Sequence, residues 1–152
     1  MNLGQKIPEF EIKDTNGNAI SEKILKGKNV VIFFYPKDGS PICTTEACSF
    51  RDNYDEFKKY NCEVIGISSD SEKSHKKFAK NHNLEFPMVS DSNKKLQKLF
   101  EVKSSFLGII GGRETFLIDS EGTIRLIFRS QNNANSHIEK TLYFLKKYII
   151  KE

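Results

Sequence analysis

The sequence predicts an α/β domain: a central mixed β-sheet flanked by helices and preceded by an N-terminal β-hairpin. Three observations predict it. Residues 30–35 and 64–67 are short uninterrupted apolar runs, the character of strands buried on both faces. Stretches with helical apolar spacing alternate with these runs. Turn signals at Asn16-Gly17 and Asp119-Ser120-Glu121-Gly122 create hairpins toward the two ends of the chain.

The elements follow in order. Phe10 and Ile12 alternate with charged residues ahead of Asn16-Gly17, and Ile20 follows the turn. Pro36 ends the strand of residues 30–35. A helix is predicted over about 44–60, because Phe50, Tyr54 and Phe57 are spaced four and three apart and share one face. After the strand 64–67, Ser71 caps a helix that turns Phe78 inward and ends near Asn83. Residues 86–89 read as a short strand, and 91–100 as a helix carrying Leu96, Leu99 and Phe100. Beyond a glycine-bearing stretch at 108–112, residues 115–118 and 124–128 flank the second hairpin turn. A last helix sets Ile138, Leu142, Leu145 and Ile149 along one stripe. Strands alternating with helices place helices on both faces of the sheet, with right-handed parallel crossovers through its middle. Chemistry in such sheets gathers at the carboxyl ends of the strands, where residues 36–43 lie.

Bulk properties exclude several classes. A chain of 152 residues suits one domain. At 29% charged and 38% hydrophobic residues it is too polar for a membrane protein and too rich in Phe, Ile and Leu to be disordered. The net charge of +4 is spread along the chain and mixed with acids, so no nucleic-acid site is expected. The N-terminus has no apolar signal region, and a cytoplasmic protein is expected. Three cysteines, an odd number, do not form a secreted disulfide framework. In a reducing compartment closely spaced cysteines are catalytic or metal-binding more often than structural.

The chemistry concentrates in Tyr35-Pro36-Lys37-Asp38-Gly39-Ser40-Pro41-Ile42-Cys43-Thr44-Thr45-Glu46-Ala47-Cys48. A buried strand delivers the chain into a loop with two prolines, and Cys43 stands where a helix begins. Unsatisfied N–H groups and the positive end of the helix dipole favour an anion there, which lowers a thiol pKa. An accessible thiolate is the species that peroxides oxidise to sulfenic acid. Cys48 follows five residues later. If both are helical, their Cα atoms lie roughly 8–9 Å apart on different faces, beyond the ~7 Å reach of a disulfide. Cys48 is therefore either a structural residue or a partner that Cys43 meets only when the helix unwinds. Cys62 has no partner at a recognisable spacing. A packing role is expected, and it is the thiol to suspect of adventitious oxidation. Zinc and iron–sulfur spacings need cysteines that this chain lacks, and His75, His82 and His137 are scattered and read as surface residues.

At these residues the sequence resembles the peroxiredoxins, most closely the bacterioferritin comigratory protein branch, also called peroxiredoxin Q. The family pattern of proline, three residues, threonine or serine, two residues and cysteine stands here as Pro36, Ser40 and Cys43. The likeness continues through Arg51-Asp52, Val64-Ile65-Gly66-Ile67-Ser68 and Arg113-Glu114-Thr115-Phe116-Leu117-Ile118-Asp119. The resemblance implies a thioredoxin-like fold and peroxide reduction without metal, haem or flavin. It implies Cys43 as the peroxidatic nucleophile and Cys48 as the resolving thiol. Ser40 would bond the peroxide, Pro36 would shield the thiolate from water, and Arg113 would donate to both peroxide and thiolate, oriented by Glu46. A hydroperoxide substrate, a thioredoxin-like reductant, no membrane partner, and a monomer or weak homodimer are expected. One departure is that the family more often carries threonine where Ser40 stands. Two rivals remain: a disulfide oxidoreductase on the same fold, which favours two cysteines separated by two residues, and a non-enzymatic redox sensor.

Overall fold

The structure, a computed structural model, describes residues 1–103, 112–129 and 134–149. Strand β3 (Asn29–Phe34) organises it. All six of its residues are buried, and its side chains alternate between two cores. Val31 and Phe33, with Tyr35 beyond, face one core; Val30, Ile32 and Phe34 face the other. This is the packing that a continuous β-branched and aromatic run favours.

β4 (Cys62–Ser68) lies parallel to β3 on one side, and β5 (Met88–Ser90) parallel to β4 beyond it. On the other side β6 (Glu114–Ile118) runs antiparallel to β3, and β7 (Ile124–Arg129) antiparallel to β6. The sheet order is β5-β4-β3-β6-β7, a mixed sheet. A separate hairpin pairs β1 (Glu11–Lys13) with β2 (Ala19–Ser21). Its turn is closed by the Asp14 carboxylate, which accepts from the N–H groups of Asn16 and Asn18, while Gly17 supplies a φ of 85°.

Helices cover both faces. α2 (Pro41–Lys59), α3 (Glu72–His82) and α5 (Ala134–Phe144) share a core in which Phe33 stacks on Phe50 at 4.4 Å, joined by Phe57, Phe78, Ile138 and Leu145. α1 (Glu22–Leu25) and α4 (Lys95–Leu99) join the hairpin over the other face, with Leu25, Leu96, Phe100 and Phe116. Cys62 is buried in the first core, and burial pushes its thiol up. The expected packing role holds, and the suspicion of adventitious oxidation does not: a buried neutral thiol is a poor target.

Several boundaries differ from those expected. α2 begins at Pro41, three residues early, because proline suits the first helical position. α4 is half the expected length: Lys94 sits at φ 59°, and Asp91, outside the helix, accepts from the N–H groups of Leu96 and Gln97. The four residues of α1, capped by Ser21, carry too little periodicity to be read. Past α5 the chain continues as a π-helical segment, Leu145–Ile149. Within the expected stripe Ile138 and Leu145 are buried, and the Ile149 side chain lies outside what the structure describes. So does the glycine-bearing stretch, apart from Gly112.

Candidate active site

Topology brings the site residues together. β3 ends at Phe34 and its loop leads into α2, so Cys43, in the first turn of α2, lies at the carboxyl end of the parallel strands. β6 runs the other way, and Glu114 at its start pairs with Phe34 at the end of β3. Arg113, one residue earlier, therefore arrives at the same place from 70 residues away. Gly112 permits that entry, because a Cβ there would collide with the Lys103 carbonyl oxygen.

Cys43 is 1% exposed. Arg113 Nη2 donates to Cys43 Sγ at 3.0 Å, and Arg113 Nη1 donates to Glu46 Oε1 at 2.7 Å. Cys43 and Glu46 are three residues apart and share a face of α2, so one planar guanidinium spans both. Arg113 and Glu46 are themselves buried. Burial pushes the Glu46 carboxyl up to about 7, against the pull of the Arg113 charge and hydrogen bond. Its second oxygen, Oε2, faces His137 Nδ1 at 3.4 Å, and Thr115 Oγ1 lies 2.7 Å from the same nitrogen.

Ser40 is the N-cap residue of α2, yet its side chain makes no capping bond. Its hydroxyl donates to the Lys37 carbonyl at 3.1 Å, which leaves its lone pairs available to accept. Thr44 N–H bonds the Ser40 carbonyl at 2.8 Å, so the N–H groups of Ile42 and Cys43 precede the first intrahelical bond. Pro36 is partly buried at the end of β3. Cys48 is partly exposed, and both it and Cys43 are free thiols inside the intact helix.

The loop carrying Pro36 and Ser40 is pinned at Asp38. Its carboxylate accepts from Tyr35 Oη at 2.6 Å, Ser74 Oγ at 2.8 Å and His75 Nδ1 at 2.7 Å. Its own N–H donates to Asp70 Oδ2 at 2.7 Å. His75 Nε2 meets the Val89 carbonyl at 2.9 Å. Both ring nitrogens face acceptors, so both carry protons and His75 is an imidazolium. Burial opposes that charge, but Asp38 and the Val89 carbonyl outweigh it and raise the His75 pKa. Burial likewise opposes ionisation of Asp38, and the bonds from His75, Tyr35 and Ser74 outweigh it and lower the pKa. Asp38, Asp70 and His75 bring ligand atoms within 4.8 Å of one another, but a ring that donates from both nitrogens has no lone pair for a metal.

The pH dependence has two edges. Stabilisation from the depressed Asp38 is present above its ordinary value of 3.8 and lost as pH falls through the lower folded value. Stabilisation from the raised His75 is complete below its ordinary 6.5 and lost as pH rises through the higher folded value. Asp38→Asn is therefore expected to lower stability on the order of 3 kcal/mol between these limits. The deficit should shrink above the His75 value, as read from urea midpoints across pH. A deficit constant from acid to alkaline pH would contradict the ion pair.

The structure brings Cys43, Arg113 and Glu46 into contact and sets Ser40 and Pro36 in the adjoining loop. It also corrects the reading of the histidines as surface residues: His75 and His137 are fully buried and His82 is partly buried. Spacing carried the signal. His75 lies three residues before Phe78, and His137 four before Thr141 and eight before Leu145, all buried.

Known proteins share this sequence and fold over most of the chain. The model of the AhpC/TSA family matches residues 3–127. A chloroplastic peroxiredoxin Q of Populus jackii is 43% identical over 146 residues, 96% of this chain and 68% of its own. That of Sedum lineare is 44% identical over 143 residues, 94% of this chain and 77% of its own. The crystal structure of peroxidoxin BcpB from Mycobacterium tuberculosis superposes with a TM-score of 0.88 at 32% identity, covering 97% of this chain and 98% of that one. A peroxiredoxin Q of Xanthomonas campestris gives 0.83 at 33% identity, covering 91% and 90%. The chain belongs to the AhpC/TSA family and, within it, to the peroxiredoxins, the thiol-dependent peroxidases.

Proposed function

We propose that the chain reduces hydrogen peroxide and organic hydroperoxides through a sulfenic acid at Cys43, closes a disulfide with Cys48, and is recycled by a thioredoxin-type dithiol. The observation that carries the reading is the buried guanidinium of Arg113, held 3.0 Å from Cys43 Sγ and fixed from behind by Glu46. The Cys43 thiolate attacks the distal peroxide oxygen. The S–O bond forms as the O–O bond breaks, and the departing hydroxide or alkoxide takes a proton from solvent. Arg113 and the N–H groups at the start of α2 are preorganised donors for the charge that develops. Ser40 accepts from the peroxide hydroxyl, and Pro36 keeps water from the thiolate. These parts need no metal, haem or flavin.

Cys48 then condenses with the sulfenic acid and releases water. Both residues lie in one helix, so the first turns of α2 unwind for the sulfurs to meet. Thiol–disulfide exchange with a dithiol restores both thiols, as a reducing compartment such as the cytoplasm allows. The catalytic unit is a monomer or weak homodimer.

Cys48→Ser tests the second half of the cycle. The variant should undergo one rapid oxidation per chain and then stall in turnover supported by thioredoxin. Peptide mapping of the peroxide-treated parent should find Cys43 joined to Cys48. Undiminished steady turnover in Cys48→Ser, with no such link in the parent, would remove Cys48 from the cycle.

A further inference from the structure

Cys48 has a partner that no part of the cycle above uses. His82, the last residue of α3, places Nδ1 3.8 Å from Cys48 Sγ. The imidazole is partly buried and held in place. Its ring meets Phe78 edge-on at 5.0 Å between centroids. Arg51, on the same helix as Cys48, donates through Nη1 to the His82 carbonyl at 2.8 Å. That bond ties the end of α3 to α2 one turn beyond Cys48, past the turns that must unwind. Sulfur, imidazole and guanidinium thus form one cluster at the α2–α3 contact, distinct from the Cys43–Arg113–Glu46 group.

From this geometry we infer that His82 is a catalytic residue of the resolving step, the base that takes the proton of Cys48. The inference rests on the reading of Cys48 as the resolving thiol. In the tautomer protonated at Nε2, Nδ1 accepts from the Cys48 thiol. The Cys48 thiolate attacks the sulfur of the Cys43 sulfenic acid; the S–S bond forms and the S–O bond breaks. Hydroxide leaves and takes a proton from solvent, and the His82 imidazolium returns its proton to solvent. Cys43 sulfur is reduced by one electron and Cys48 sulfur oxidised by one, so the step balances without an external reagent. The arrangement also sets an order. Cys48 can be ionised while α2 is still folded, so unwinding delivers a nucleophile to Cys43 instead of a thiol.

The test is a rapid-quench experiment with alkylation and mass mapping, since the chain has no tryptophan to report by fluorescence. The parent and His82→Ala are mixed with hydrogen peroxide and quenched at intervals. Loss of free Cys43 serves as the internal reference, and appearance of the Cys43–Cys48 link is the readout. In His82→Ala the link should form about a hundred-fold more slowly, the lower end of the range for a positioned base. Added imidazole should recover part of that loss, which it would not do if His82 only packed against Phe78. The backbone bond from Arg51 survives the substitution. His82→Gln, which cannot accept a full proton, should be slow with or without that bond. Link formation at the parent rate in His82→Ala would overturn the inference and leave the cycle standing, as would a slow rate that imidazole does not restore. Absence of the link in the parent would remove the reading of Cys48 itself, before any His82 variant is compared.

Discussion

Cys43→Ser is expected to abolish peroxide consumption, leaving only the uncatalysed rate, in an assay coupled to a dithiol reductant. A hydroxyl fits where the thiol sits and can still accept from Arg113, so the variant should keep its helical circular dichroism and cooperative unfolding. What it loses is the chemistry: an alcohol at neutral pH supplies no anion to attack peroxide oxygen. Neither remaining cysteine can substitute. Cys62 is buried in the core with its thiol pushed up, and the Cys48 thiol meets His82, while the Arg113 guanidinium donates to Cys43 and Glu46. Residual turnover that disappears only on further replacing Cys48 or Cys62 would show that the peroxide-reactive sulfur had been misassigned.

Arg113→Met is expected to reduce the second-order rate of Cys43 oxidation by about 10²–10³, the usual consequence of deleting one preorganised donor to developing charge. Arg113→Lys should fall between, because a single ammonium cannot bridge Cys43 Sγ and Glu46 Oε1 as the guanidinium fork does. The stability change should be milder than for most broken buried ion pairs. The Glu46 carboxyl is already pushed up to about 7 by burial, so without Arg113 it takes a proton and stays neutral near physiological pH. Competition kinetics separate the two effects, since the rate constant should fall far more than the unfolding midpoint. A rate within about threefold of the parent, well short of the expected loss, would mean that Arg113 is a packing residue.

Much of this was legible in the chain because local and global signals agree. The 30–35 run, Asn16-Gly17, the Ser71 cap and the Phe50–Phe57 face each specify one element, and the structure has each of them. The site was legible through one contiguous segment, where Pro36, Ser40, Cys43, Glu46 and Cys48 fall within thirteen residues. Arg113 came only from resemblance, since nothing local distinguishes a charge at a strand start from a surface residue. Its placement depends on the antiparallel entry of β6 beside β3, a long-range pairing. The histidines escaped for the same reason. His75, His82 and His137 acquire their roles from partners 37, 34 and 22 residues away, at Asp38, Cys48 and Thr115. The short helices differ. α1 went unread because its four residues, capped by Ser21, leave no apolar periodicity. α4 was read from its apolar spacing but begun too early, since its start is set by Lys94 at φ 59° and the Asp91 side-chain bonds to backbone.

The most direct measurement is the time course of thiol loss at Cys43 after mixing the reduced protein with one equivalent of hydrogen peroxide at micromolar concentration, followed by acid quench and residue-resolved mass spectrometry. Cys43 should be consumed within seconds, first as sulfenic acid and then as one half of a disulfide, while Cys62 stays free. A Cys43 thiol still fully alkylatable after minutes would contradict the account.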